Sequence, residues 1–219
     1  MTFPAIFFDM DGTLVDTEPY WLIAERSLMA EFGHEWSLED QKHCLGGPLP
    51  RVGAYMFELA KSESPEFFVR ELVDRVESQF FAGLNFMPGA RELMEEIYAA
   101  GIPMGLVSAS PRNLVDATLK SLDRDYFVVS ISSNEVSESK PNPESYLKAA
   151  AALGVEIRDS LILEDSRPGI AAAQASGALV LAIPHLVDVA EHPRTLVVDS
   201  LVDLNLEDIA TMMHERISQ

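Results

Sequence analysis

The chain of 219 residues contains a single cysteine, Cys44. One cysteine cannot form an internal disulfide, which fits a protein of a reducing compartment. Because a lone cysteine carries no pattern, we interpret Cys44 as a buried, inert thiol rather than a nucleophile. The opening segment also lacks a basic region, and its apolar run is too short for a signal peptide or a membrane span. We therefore expect a soluble, cytoplasmic protein.

Basic residues are scarce as well: 16 Lys and Arg stand against 35 Asp and Glu, which gives a formal net charge of −19. Such an acidic chain is a poor candidate for nonspecific binding to nucleic acids or anionic membranes. Repulsion between exposed charges fades over about 8 Å at physiological salt. A local cation, a lysine and backbone N–H groups could therefore still hold a small anion. We expect no nucleic-acid or membrane partner, and the oligomeric state stays open.

The composition, with 47% apolar and 23% charged residues, suits a folded chain with a full core. Short apolar runs alternate with helical segments that begin or end at Pro and Gly, which predicts an α/β fold with a Rossmann-like, doubly wound parallel sheet. The predicted strands are Ala5–Phe8, Ile102–Val107, Phe127–Ile131, Leu161–Leu163 and Ala178–Ile183, with a weak strand at Leu196–Val198 and a last helix at Leu206–Ile217.

The stretch after the first strand contains no convincing strand of its own. Its helical segments are bounded by Gly33, Gly46-Gly47 and Ser64-Pro65. We predict helices at Pro19–Phe32, Leu38–Cys44, Leu49–Lys61 and Pro65–Phe81. The sequence thus predicts two domains, a Rossmann-like catalytic core (residues 1–16 and 86–219) and an inserted helical cap domain (residues 17–85).

Polar residues follow four of the predicted strands. Ligands of open α/β sheets bind outside the carboxyl ends of the strands, so these residues are the candidates for a site. Each alone has a simpler explanation, because an Asp-Gly pair is usually a turn and a Lys-Pro pair a surface loop. Their order along the chain favours a common site. In strand order they are Asp9 and Asp11, Ser108 with its neighbour Ala109 (whose backbone N–H is the polar group), Lys140, and Glu164 with Asp165.

This set of residues suits phosphoryl chemistry. Clustered carboxylates without His or Cys favour a hard cation such as Mg²⁺, with Asp9 and Asp165 as ligands. Asp9 can attack phosphorus and form an aspartyl-phosphate. Asp11, two residues on, can protonate the leaving oxygen and then activate water. Ser108 would donate a hydrogen bond to the phosphoryl oxygens, and Lys140 would compensate their charge.

The sequence resembles the haloacid dehalogenase (HAD) superfamily of phosphatases over essentially the whole chain. The four segments that carry the resemblance are FFDMDGTLVDTEP, LVSAS, SKPNPESY and LEDSRPGI. It implies a Rossmann-like core, Mg²⁺, and an aspartyl-phosphate intermediate. In residues, it implies Asp9 as nucleophile, Asp11 as general acid/base and metal ligand through its backbone carbonyl, Ser108, Ala109 and Lys140 at the phosphate, Asp165 as metal ligand and Glu164 beside it.

The helical insert resembles the small cap of the subgroup that includes β-phosphoglucomutase and phosphoglycolate phosphatase. The true dehalogenases of the superfamily lack the second aspartate of the first segment. Its presence here, as Asp11, therefore argues against dehalogenation. Trp21 stands where the mutase has a cap histidine. Arg51 lies near the position of a phosphate-binding arginine of the mutase, but the spacing along the sequence differs by about one residue. We therefore expect a hydrolase that acts on a small phosphate ester, such as a sugar phosphate. The alternatives are a phosphomutase and a noncatalytic phosphometabolite-binding protein, and the sequence does not identify the substrate.

Overall fold

The computed structural model of the chain describes residues 2–44, 48–184, 189 and 191–218. The predicted helix boundary at Gly46-Gly47 lies outside these residues. The chain forms two compact units. The sheet unit comprises Met1–Asp16 and Leu84–Gln219, and the helical unit comprises Thr17–Gly83.

The sheet unit contains a six-stranded parallel sheet in the order β3-β2-β1-β4-β5-β6. Every residue of β1, β2, β4 and β5 is buried, as expected for strands covered on both faces. This topology confirms the predicted doubly wound α/β fold. The strands are β1 Ile6–Phe8, β2 Met104–Val107, β3 Val129–Ile131, β4 Leu161–Glu164, β5 Leu179–Ala182 and β6 Thr195–Val197.

Strand ends differ from the predicted ones by up to two residues. The second strand begins at Met104 rather than Ile102, because Pro103 between them has no N–H for the ladder. The fourth strand continues one residue further than predicted, since Glu164 still pairs with Ala182 of β5. Glu164 therefore belongs to the strand itself rather than to the loop after it.

Among the residues that the structure describes, the helical unit contains four helices, α1 Glu18–Glu31, α2 Leu38–Cys44, α3 Leu49–Ala60 and α4 Pro65–Phe80. Tyr20 of α1 meets Phe80 of α4 edge to face, with ring centroids 5.1 Å apart. Helix α3 passes so close to α4 that a Cβ on Gly53 would lie 2.5 Å from the carbonyl oxygen of Pro65. The unit thus has an apolar core of its own.

The described part of the sheet unit contains five further helices: α5 Ala90–Ala99, α6 Arg112–Ser121, α7 Glu144–Leu153, α8 Arg167–Ser176 and α9 Leu206–Ile217. Phe7, Ile162 and Val180 share one register across β1, β4 and β5. They belong to one core cluster with Tyr146 of α7 and Ile170 of α8. Helices α7 and α8 therefore pack against the same face of the sheet, and this packing fixes the loops that precede them. Within the described part of the chain, no helix has both the length and the hydropathy of a membrane span.

Candidate active site

The loop after β1 folds back on itself directly beyond the strand. The backbone N–H of Asp9 still bonds to the Leu163 carbonyl of β4 at 3.0 Å, and the N–H of Gly12 bonds to the Val15 carbonyl at 2.8 Å. Gly12 has a φ of 85°, and a Cβ on it would lie 2.4 Å from Asp165 Oδ2. Only glycine fits this position, because any side chain would meet the carboxylate. The loop therefore lies directly against Asp165.

Three carboxylates meet where the strand order reverses between β1 and β4, which is the usual ligand position of such sheets. Asp9, Glu164 and Asp165 each offer an oxygen, and these oxygens lie within 4.8 Å of one another. Thr13 Oγ1 donates a hydrogen bond to Asp165 Oδ1 at 3.1 Å. Oxygen donors at this spacing fit a hard divalent cation.

The ammonium group of Lys140 lies inside this cluster. Its Nζ donates to Asp9 Oδ1 at 2.6 Å, to Glu164 Oε1 at 2.7 Å and to the Val107 carbonyl at 3.0 Å. The Lys140 side chain is only 5% exposed. Burial lowers the pKa of Lys140, but the negative charges of Asp9 and Glu164 outweigh it and the pKa is raised. Lys140 is therefore a fixed cation beside Asp9.

Glu164 is completely buried, and both of its carboxylate oxygens are engaged. Oε1 accepts from Lys140 and from the Tyr146 hydroxyl, the latter at 2.8 Å. Oε2 accepts from the N–H of Asp165, the N–H of Ser166 and the hydroxyl of Ser166 at 3.1 to 3.2 Å. With five donors satisfied, Glu164 is suited to orient Lys140 rather than to bind a ligand directly.

A second group of side chains surrounds Asp11. Its Oδ2 accepts hydrogen bonds from Ser108 Oγ at 2.9 Å and from Ser110 Oγ at 2.8 Å. Its Oδ1 is buried and has no hydrogen-bond partner in the part of the chain that the structure describes. Ala109, between the two serines, is exposed. Ser108 thus contacts the acid/base candidate, a contact that the sequence did not predict.

Burial raises the pKa of Asp9 well above its usual range. The negative charge of Glu164 adds to this effect, the ammonium of Lys140 opposes it, and Asp165 and Asp11 raise the pKa further. The cluster therefore holds an excess of negative charge. A divalent cation bound beside Asp9 would relieve that excess and favour the ionised form of Asp9.

The structure brings the predicted residues together in two contacting sets. Asp9, Lys140, Glu164 and Asp165 form one set, and Asp11 with Ser108 forms the other. Sequence reasoning missed two further members, Tyr146 and Ser110. Both residues lie inside segments that carry the family resemblance, SKPNPESY and LVSAS. The sequence therefore indicated the segments, but not the contacts of Tyr146 with Glu164 and of Ser110 with Asp11.

Comparisons with known proteins place the chain in a family. The sequence model of haloacid dehalogenase-like hydrolases matches residues 6–183. Hexitol phosphatase B of Escherichia coli (strain K12) is 32% identical over 215 residues, covering 94% of this chain and 96% of that protein. A bifunctional riboflavin kinase/FMN phosphatase of Arabidopsis thaliana is 29% identical over 217 residues, and the chain spans about half (54%) of its length.

Among solved structures, that of a putative β-phosphoglucomutase from Thermotoga maritima superposes with a TM-score of 0.76 at 26% identity. The match covers 96% of this chain and 98% of the mutase chain. The family model spans both contacting sets of the site, and the hexitol phosphatase is similar over nearly its full length. The chain therefore belongs to the haloacid dehalogenase-like hydrolases.

Proposed function

We propose that this chain is a phosphomonoester hydrolase that acts on a small phosphorylated metabolite, such as a sugar phosphate, through an aspartyl-phosphate on Asp9. The observation that carries the proposal is the carboxylate of Asp9, buried at the carboxyl edge of the sheet and 2.6 Å from the ammonium of Lys140. The similarity to a hexitol phosphatase supports a carbohydrate-like phosphate ester as the substrate.

In the proposed reaction, a carboxylate oxygen of Asp9 bonds to phosphorus while the ester P–O bond breaks. Asp11 gives its proton to the departing ester oxygen. In the second half, Asp11 takes a proton from water, the water oxygen bonds to phosphorus, and the bond to Asp9 breaks. Ser108, the loop at Ala109 and Lys140 hold the phosphoryl group, with Lys140 compensating its negative charge.

The donor set fits Mg²⁺, and we propose that Asp9, Asp165 and the backbone carbonyl of Asp11 bind it. Glu164 lies beside them. Because five donors already occupy its two oxygens, we propose that Glu164 orients the neighbouring residues and does not bind the metal directly. When bound, Mg²⁺ supplies charge neutralisation for a phosphoryl oxygen. We further propose that the helical unit is the cap domain and selects the substrate.

A screen of phosphorylated metabolites, scored by phosphate release with Mg²⁺ and again after dialysis against EDTA, tests this function. We expect release from at least one sugar or sugar-alcohol phosphate, dependent on the added metal. Asp9→Asn should retain less than about 1% of the rate, because the nucleophile is lost. The same exchange at the exposed Asp125 is the matched control and should be neutral. An active Asp9→Asn variant would overturn the assignment of the nucleophile.

A phosphomutase is the second candidate, favoured by the structural similarity to a putative β-phosphoglucomutase. A mutase must keep its aspartyl-phosphate from water until a sugar arrives. Trp21, a half-buried residue of α1, has an indole that cannot relay a proton, which favours the hydrolase. Incubation with β-glucose 1-phosphate, with and without glucose 1,6-bisphosphate, separates the two. Formation of glucose 6-phosphate with little free phosphate would identify a mutase.

A further inference from the structure

Both backbone groups of Ser110, the N–H and the carbonyl, form hydrogen bonds. Its N–H donates to Ser108 Oγ at 2.9 Å. Its carbonyl oxygen accepts from the N–H of Ser133 at 3.1 Å and from the hydroxyl of Ser133 at 3.2 Å. Two residues on, the N–H of Arg112 donates to Asn134 Oδ1 at 2.8 Å. The 3-10 turn at Ser133–Glu135 therefore anchors the loop that carries the Ser110 hydroxyl.

The hydroxyls of Ser108 and Ser110 both point at one oxygen, Asp11 Oδ2. An ionised carboxylate only accepts hydrogen bonds, and a serine hydroxyl has one hydrogen to donate. Ser108 therefore cannot donate to Asp11 and to a phosphoryl oxygen at the same time. If the substrate takes the hydrogen of Ser108, Ser110 is the side chain that still holds Asp11 Oδ2, as far as the described residues show.

We propose that Ser110 is a positioning residue for the acid/base aspartate, an inference that rests on the proposed function. Ser110 keeps Oδ2 of Asp11 in place after Ser108 turns to the phosphoryl group. Oδ1, which is buried and has no hydrogen-bond partner in the described part of the chain, is then the oxygen left to exchange the proton with a substrate that reaches it. That proton passes to the ester oxygen as its bond to phosphorus breaks, and Asp11 regains one from the attacking water. This role requires no contact of Ser110 with the substrate or the metal.

The test compares substrates whose leaving groups need the acid to different degrees. An alkyl phosphate, taken as the best substrate of the metabolite screen, needs a proton on its departing oxygen, whereas p-nitrophenyl phosphate needs little help. We expect Ser110→Ala to lower kcat/KM for the alkyl ester about tenfold, a part of the 10²–10⁴-fold that acid–base catalysis contributes. The kcat/KM for the aryl ester, which reports only the first half-reaction, should change less than about threefold.

Two comparisons separate positioning from structural damage and from phosphate binding. Ser110→Thr keeps a hydroxyl and should restore most of the rate with the alkyl ester. Inhibition by inorganic phosphate should be unchanged in Ser110→Ala but weakened in Ser108→Ala, because, of these two serines, Ser108 is the one proposed to bind the phosphoryl group.

Equal losses of kcat/KM for both esters, or weaker inhibition by phosphate in Ser110→Ala, would overturn the assignment of Ser110. A wild-type chain that releases no phosphate from any ester would instead overturn the proposed function, and the inference with it.

Discussion

At the scale of single residues, Tyr146 supports the site in two ways. Its hydroxyl donates to Glu164 Oε1 at 2.8 Å, and its ring lies 4.9 Å from the ammonium of Lys140. Burial raises the pKa of Tyr146 well above its usual value, and the charge of Glu164 raises it further. The phenol therefore stays protonated and remains a donor. Tyr146 holds Lys140 both directly, through a cation–π contact, and indirectly, through Glu164.

Tyr146→Phe removes the hydroxyl and keeps the ring. We expect it to destabilise the chain by about 1–3 kcal/mol, because Glu164 is completely buried and loses one of the donors to Oε1. We expect kcat to fall several-fold with little change in KM, since Glu164, which orients Lys140, loses one of its donors while the phosphate contacts remain. Urea unfolding and steady-state kinetics measure the two effects.

The control for Tyr146 is the same exchange at Tyr98, a tyrosine of α5 that is 44% exposed. Tyr98→Phe should leave both stability and kcat unchanged. If Tyr146→Phe behaved like Tyr98→Phe in both measurements, the hydroxyl would contribute nothing to the site.

At the scale of elements, the sequence predicted the strands to within two residues and the helices whose ends it specified to within one residue. Short apolar runs and Pro or Gly positions are local signals, so the helices α2 and α9 begin and end at the predicted residues. The contacts of individual polar atoms depend instead on residues distant in the chain. Thr13 and Asp165 are 152 positions apart, and Ser108 and Asp11 are 97 apart. No local pattern specifies such pairs.

The first turn of α8 packs against the carboxylate of Glu164. A Cβ on Gly169 would lie 1.8 Å from Glu164 Oε1 and 2.1 Å from Oε2. The N-cap of this helix, Ser166, accepts from the N–H of Gly169 at 3.1 Å and also donates its hydroxyl to Glu164. The helix and the buried carboxylate therefore fix each other's position.

We predict that Gly169→Ala destabilises the chain, although helix propensity alone would favour Ala over Gly by about 1 kcal/mol. The added methyl must displace Glu164 or shift the start of α8, which costs on the order of 1–3 kcal/mol for overpacking. Thermal or urea unfolding measures the loss, and phosphate release should fall with it because Lys140 depends on Glu164.

A double-mutant cycle tests the cause of that loss. Glu164→Ala removes the atoms that the new methyl would meet, so Gly169→Ala should cost much less in the Glu164→Ala background than in the wild type. An equal cost in both backgrounds would show that the close approach to Glu164 is not the reason.

At the scale of the whole molecule, the large acidic excess includes a buried carboxylate outside the candidate active site. Glu25 of α1 is only 7% exposed, inside the helical unit. Burial raises its pKa from 4.5 to about 7, and the charge of Glu18 adds to the effect. In the unfolded chain the carboxyl titrates at its ordinary pKa. Between pH 4.5 and 7 the folded chain therefore binds more protons than the unfolded chain.

Because the pKa of Glu25 is higher in the folded chain than in the unfolded chain, proton binding stabilises the folded chain at low pH. This stabilisation is lost as the pH rises through about 7. We predict that Glu25→Gln, which cannot ionise, is nearly neutral at pH 4.5 and stabilising at pH 8. The gain should approach, and not exceed, about 3 kcal/mol, since one pKa unit corresponds to 1.36 kcal/mol.

Urea unfolding at both pH values, followed by tryptophan fluorescence, measures this effect in the right part of the molecule. The two tryptophans of the chain, Trp21 and Trp36, both lie in the helical unit, so their emission reports the unit that contains Glu25. Glu58→Gln, at an exposed position of α3, is the matched control and should be neutral at both pH values. If Glu25→Gln raised the free energy of unfolding equally at pH 4.5 and pH 8, the cause would be packing. That result would contradict a titration of Glu25 between these two pH values.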